Sequence, residues 1–332
     1  MARELRAIVL AVVTLLSFSL AAQAVMAADS PAAADGERKV NAGDYRGAIS
    51  TLQSALSQNP GDAGAYYWMG RGFYELRDYD NAISALQKAI ALAPQNSDYH
   101  NWLGRAYGGK ADREHSFFVA KKVKAEFQAA VRLDPSNIQA RRDLEEYCIS
   151  APWIVGGSKD EALAQVNAIA AIDPVEGHAA RAMYYNDGLK KPAQAAAEYQ
   201  AILRSGSTKI EPYLEAANFF INQDQPANVL AAVNAAAGVA GNDARLDFYR
   251  GVLGVLDGTN MAAAERYLKS YVASTPDRSN WPNHASARFW LGRLYEAMDK
   301  PGAAAEQYRA ALQLDPNRKD ARARLNKLAK SQ

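Results

Sequence analysis

Pro60 and Pro94 stand 34 residues apart, and between them the chain runs AYYWMGRGFYELRDYDNAISALQKAIALAP. Two stretches of helical period flank the turn-forming RDYDN, so the segment reads as two helices packed antiparallel. The same face returns near the C-terminus as ARFWLGRLYEAMDKPGAAAEQYRAALQLDP, closing on Pro316. A helix pair this short leaves apolar surface uncovered unless another pair stacks on it. The recurrence therefore confines the chain to a stack of helix pairs.

The details within each unit carry a family resemblance. Gly70 holds a small position in the first helix and Phe73 the aromatic position one turn later. Ala82, Leu86 and Ala89 form the packing face of the second helix. In the last unit Leu291, Gly292 and Tyr295 precede Ala304, Tyr308 and Ala311. Small residues are needed where two helices approach closely, since a larger side chain there overpacks by ~1–3 kcal/mol. This pattern resembles the tetratricopeptide repeat over most of 40–328. Weaker copies lie at 183–203, at 213–237 and at 248–276, the last ending at Pro276, with Gly251 and Val252 both open as its small position. A partial copy occupies 40–60, with the Ala-rich segment 28–39 available to complete it. The expected fold is all-α, a right-handed solenoid of roughly seven antiparallel pairs. Non-standard insertions are placed at 109–122 and 150–158, with a break at 275–284.

Residues 1–27 read differently. Arg3 and Arg6 precede an uncharged, apolar or small run from Ala7 to Ala22, and small residues then surround Ala27. This is the pattern of a cleaved secretory signal, short for a membrane span. The chain is expected to be exported to the periplasm or secreted. About 305 residues then remain, with no later segment able to span a bilayer, and near-neutral charge gives no reason to expect a nucleic-acid partner. The single cysteine, Cys148, excludes an internal disulfide and reads as a packed thiol.

The stretch GRAYGGKA, residues 104–111, places Gly104, Gly109 and Lys110 at the spacing of a phosphate-binding loop, with Ala111 in place of the hydroxyl. Trp102, Leu103, Gly104 and Tyr107, however, repeat the first-helix spacing of the neighbouring units. No strand precedes the stretch, as such a loop requires. Gly108 and Gly109 read as a helix C-cap. The next closing proline, Pro135, comes 41 residues after Pro94. The surplus is expected to extend the second helix, carrying Phe117, Phe118, Lys121, Lys122 and Lys124 beyond the stack. In the following connection, YCISAPWIVGGSKDEALAQ, Pro152 stops a helix and Ser158 with Glu161 forms a capping box. Trp153, Ile154 and Val155 are expected to tuck against the 111–124 extension. LGRAYG-x-KA followed by AP-x-x-x-GG-x-x-D-x-A, residues 103–111 and 151–162, resembles a group of exported bacterial tetratricopeptide proteins with no settled molecular role.

Nothing in the sequence converges on catalysis. His100, His115, His178 and His284 form no metal-binding pair, and Glu145 and Glu146 are adjacent and point about 100° apart on a helix. No enzyme activity, cofactor, metal or nucleotide is expected. Recognition is the better reading. Counting from the small position, the following residue and the one three before it face the concave wall, giving Arg71 and Tyr67, Arg105 and Asn101, and Arg293 and Phe289. Tyr74 continues this row, and Phe117, Phe118 and Lys121 lie beside it. The arginines offer forks for carboxylates, unless Glu75 pairs with Arg71 and Glu296 with Arg293. Arg105 lacks such an acid on its own helix and is expected to remain available. The resemblance implies a non-catalytic module binding a protein or peptide through its concave face. The alternatives are an assembly factor of an envelope complex using the convex face, or an accessory subunit presenting substrate to a separate enzyme.

Overall fold

The structure is a computed structural model that describes residues 30–330; the expected export segment lies outside the described residues. Seventeen α-helices make up these residues, with no strand among them. They are α1 (Pro31–Ala42), α2 (Tyr45–Gln58), α3 (Ala63–Glu75), α4 (Tyr79–Leu92), α5 (Ser97–Glu114), α6 (Phe117–Leu133), α7 (Ile138–Ser150), α8 (Lys159–Ile172) and α9 (Pro174–Met183). Then come α10 (Pro192–Arg204), α11 (Glu211–Asn222), α12 (Pro226–Val239), α13 (Arg245–Leu256), α14 (Met261–Ser274), α15 (His284–Ala297), α16 (Pro301–Leu314) and α17 (Lys319–Lys330). Consecutive helices pair, so there are eight pairs and a single closing helix rather than seven pairs. The additional pair is completed by α1, which the Ala-rich sequence only hinted at. Ser30 caps it, Pro31 fits its first turn, and its Gly36 lies against Leu52.

Local chemistry sets the helix boundaries. Asp62, Asp78, Asn96, Asn137 and Asn283 each accept a backbone N–H from the first turn of the helix that follows. Small residues set the pairing distance. A Cβ on Gly70 would lie 2.7 Å from Leu86, one on Gly104 2.5 Å from Phe127, and one on Gly251 2.5 Å from Leu268. Gly251, not Val252, is thus the small residue of α13. The core is a row of alanine, leucine and aromatic side chains between the helix layers.

The insertion after Pro94 differs from expectation in one respect. Both helices of the third pair are lengthened, to 18 residues in α5 and 17 in α6, against 13 and 14 in the second pair. Gly108 and Gly109 do not cap α5. The helix runs on past them because Gly109 packs against the Tyr79 ring, and His115 takes the left-handed cap at φ 50°. GRAYGGKA is helical throughout, so its amides are committed to backbone bonds, and Lys110 pairs with Asp80.

The longest connection, residues 275–283, crosses the molecule. The Tyr45 hydroxyl donates to Asp277 O at 3.0 Å, and Arg278 donates to Asn41 O. Ser279 donates through its backbone N–H and its hydroxyl to the Glu75 carboxylate, both at 2.9 Å. Pro276 packs on Gly43, where φ is 81° and a side chain would find no room. The segment therefore straps the seventh and eighth pairs to the first and second, turning an open solenoid into a closed one.

Candidate functional site: the strapped concave channel

The first helices of successive pairs line the inside of the solenoid, and their registers align from the N-cap. Six residues after the cap stand Trp68 in α3, Trp102 in α5 and Asp143 in α7. Nine residues after it stand Arg71, Arg105 and Glu146. The outcome is a ladder. The Arg71 guanidinium lies over both the Trp68 and Trp102 rings at 4.3 and 4.2 Å, and Arg105 also lies over the Trp102 ring at 4.7 Å. Arg105 then donates to Asp143 through Nε at 2.5 Å and Nη2 at 2.9 Å. Asn101 and Gln139 donate to the same carboxylate, each at 2.9 Å. Burial alone would lower the pKa of Arg105, but the charge and hydrogen bonds of Asp143 outweigh it and raise it.

This corrects the expectation for Arg105. Its fork is occupied by an acid one repeat further on, so it is a wall residue and not a free carboxylate receptor. Arg71 and Arg293 do not pair with the acids on their own helices. Glu75 holds the strap, and Glu296 pairs with Arg324 of α17. Arg293 stacks on Trp290 at 4.7 Å. Tyr67 stacks on Tyr99 at 4.9 Å, and Tyr74 meets Trp102 edge-on at 5.4 Å. Asn101 is buried beneath the ladder. Phe289 is not on an open wall; it is buried, with Arg318, the residue before α17, over its ring at 4.7 Å. Phe117, Phe118 and Lys121 lie outside the channel at the start of α6, and both phenylalanines are exposed rather than packed on the next pair.

The strap divides the channel. On one side lies a cavity of about 790 Å³, walled by Tyr74, Tyr79, Arg105, Asp112, Asp143 and Glu146. On the other lies one of about 460 Å³, walled by Glu211, Glu215, Asn218, Arg245, Tyr249 and Trp281. Ser279 and Asn280 border both. In the larger cavity Asp143 neutralises Arg105, while Asp112 and Glu146 have no ion pair with a described residue, so the wall carries excess negative charge. Glu146 is reached by solvent, yet the surrounding protein removes enough water, and Asp143 is close enough, to raise its carboxyl above the usual range. In the smaller cavity Glu215 pairs with Arg142 at 2.8 Å and Glu211 with Arg245 at 3.2 Å.

Below the wall, the position that carries glycine in α3 and α5 carries Glu145 in α7, eight residues after the cap in each case. Glu145 is fully buried, and neither carboxylate oxygen has a hydrogen-bond partner among the described residues. Burial pushes its pKa up to about 8, against the pull of Arg142. Among the described residues no cluster of three or more His, Cys, Asp or Glu could hold a metal ion. Cys148 is buried, and burial raises its thiol to about 12.

The connection after α7 is half-packed. Val155 is buried, but Trp153 and Ile154 are 83% and 57% exposed. Only their backbone is tied down, as expected of a turn but not of a tucked apolar plug. Ser158 accepts from the Glu161 N–H at 3.3 Å, but the Glu161 carboxylate goes to Lys124 and Gln128 instead of closing a capping box. Sequence reasoning missed Asp143, Glu146 and the strap. The first two had a signal in the register, because Asp143 stands at the place of Trp68 and Trp102 and Glu146 at that of Arg71 and Arg105.

Residues 40–106 and 260–319 each match the tetratricopeptide repeat family. No curated protein matches the chain in sequence. Among solved structures, the chain is similar to an APC/C hetero-tetramer, Cut9–Hcn1, at 13% identity and a TM-score of 0.52. That match covers 86% of this chain and about half, 52%, of the other, and at that identity it speaks for the fold alone. A thermophilic tetratricopeptide protein of Thermus thermophilus matches at 20% identity and a TM-score of 0.48, over 58% of this chain and 100% of its own. One from Parabacteroides merdae matches at 17% and 0.48, over 80% and 98%. With family matches at both ends and eight helix pairs running through them, the chain is a tetratricopeptide-repeat protein.

Proposed function

We propose that this non-catalytic module binds an extended protein segment in its concave channel, and that the segment presents a basic side chain to the larger cavity. The observation that carries the reading is the charge reversal along the wall. Arg71 and Arg105 are committed to indole rings and to Asp143, and the groups left without an ion pair, Asp112 and Glu146, are acidic. A cation placed there would gain two carboxylates and the tyrosine faces of Tyr74 and Tyr79. Residues 1–27 read as an export signal, so we place the module in the periplasm or outside the cell.

Fluorescence anisotropy with a set of extended peptides, matched except for one Lys or Glu, tests this. The lysine members should bind at least about tenfold tighter, the scale of ~1.4 kcal/mol, and Glu146→Lys with Asp112→Lys should abolish that preference. Equal binding of both members, or a preference for the glutamate member, would refute the reading.

A further inference from the structure

A separate surface lies outside the channel. Phe117 and Phe118 open α6 and are 62% and 86% exposed; Trp153 and Ile154, on the turn after α7, are 83% and 57% exposed. The two tips are held as one body. The Tyr147 hydroxyl bridges Ala120 O and Val155 O, each at 2.8 Å, and Lys124 donates to Gly156 O at 2.7 Å. The backbone is thus fixed so that four large apolar side chains point into solvent. None of them lines either of the two cavities described above, and all four project into solvent. One turn along α6, Lys121 and Lys122 are exposed and form no ion pair with a described residue; Lys122 lies over the Tyr107 ring at 5.3 Å.

We propose that this tip docks on an anionic lipid surface, with Phe117, Phe118, Trp153 and Ile154 entering the interface and Lys121 and Lys122 meeting lipid phosphates. Rigid aromatic projections suit a fluid apolar phase, which needs no shape match, and aromatic side chains beside lysine are the composition favoured at a membrane–water boundary. The two lysines supply the charge complementarity and choose anionic over neutral lipid.

Cys148 is buried, so a cysteine introduced on the surface is labelled selectively. An environment-sensitive fluorophore is placed at Phe118→Cys, at Ile154→Cys, and at Leu314→Cys on α16 as a control, each in the full chain. Vesicles of phosphatidylcholine, with and without phosphatidylglycerol, are then titrated in. The expected result is a blue shift and a several-fold intensity gain at 118 and 154 with anionic vesicles only, none at 314, and at least about a fivefold weaker response in Lys121→Glu/Lys122→Glu. No response at 118 and 154, an equal response with neutral vesicles, or an equal response at 314 overturns the proposal. So does a change at 118 and 154 that depends on protein concentration without lipid, because the tip would then meet a second copy.

Discussion

Replacing Glu145 by glutamine removes the one fully buried carboxylate among the described residues without changing the shape of the site. In the folded protein its pKa lies at about 8, and in the unfolded chain near 4.5. The folded state therefore holds the proton more tightly. Below pH 4.5 both states are protonated and no penalty exists. As pH rises from about 4.5 to 8 the unfolded chain releases the proton first, so stability falls, and above 8 the loss is complete. At about 1.4 kcal/mol per pKa unit the interval is worth at most roughly 5 kcal/mol. Relaxation and water entry at the ionised group bring the expected loss nearer to about 3 kcal/mol. Glutamine carries no such titration. Denaturant midpoints and hydrogen exchange across α7 and α8, measured at pH 5, 7 and 9, should find the variant near wild type at pH 5 and about 3 kcal/mol more stable at pH 9. Glu146 is common to both proteins, and its repulsion of an ionised Glu145 exists only in wild type, where it adds to the loss at high pH. A difference that does not change with pH, or one that favours wild type as pH rises, would refute the reasoning.

Three further outcomes follow from the same contacts. Gly104→Ala drives a methyl into the Phe127 ring and should cost about 1–3 kcal/mol of thermal or denaturant stability, with no gain in any binding assay. Arg105→Ala leaves the buried Asp143 carboxylate with only Asn101 and Gln139 and should cost about 3 kcal/mol, whereas Arg105→Ala/Asp143→Ala should recover much of the loss in a double-mutant cycle. Tyr45→Phe/Glu75→Ala removes three of the strap's four hydrogen bonds to the first two pairs, leaving that of Arg278 to Asn41, and should raise hydrogen exchange over 276–283 by at least about tenfold while leaving α11 and α12 unchanged.

The solenoid was legible because its determinants are local and periodic. Each of Gly70, Gly104 and Gly292 sits at a fixed place against the helix that follows, and the capping Asp and Asn residues mark the turns. The first pair was harder to see, since α1 contributes alanine and glycine to the interface and no aromatic signature. The Gly108–Gly109 cap failed for a tertiary reason: Tyr79 fills the space beside Gly109, and the helix gains more by continuing than by ending there. The site depended on contacts that no single helix contains. Arg105 finds Asp143 across a sequence gap of 38 residues, and the strap finds α1 across one of 237. Spacing along one helix is silent on both. Register between repeats carries the missing information: at Glu146 it shows the wall reversing its charge.

The measurement that most directly tests the concave-channel reading is site-specific photocrosslinking in the native host. A benzophenone amino acid is placed at Ser150, Asn218 or Asn280, all exposed residues that border the cavities, and at Leu314 on α16. Mass spectrometry then maps the crosslinked peptide. Channel binding predicts adducts from the three channel positions, all to one extended, lysine- or arginine-containing segment, and none of that segment from 314. Adducts to such a segment from 314 and none from 150, 218 or 280 would contradict it.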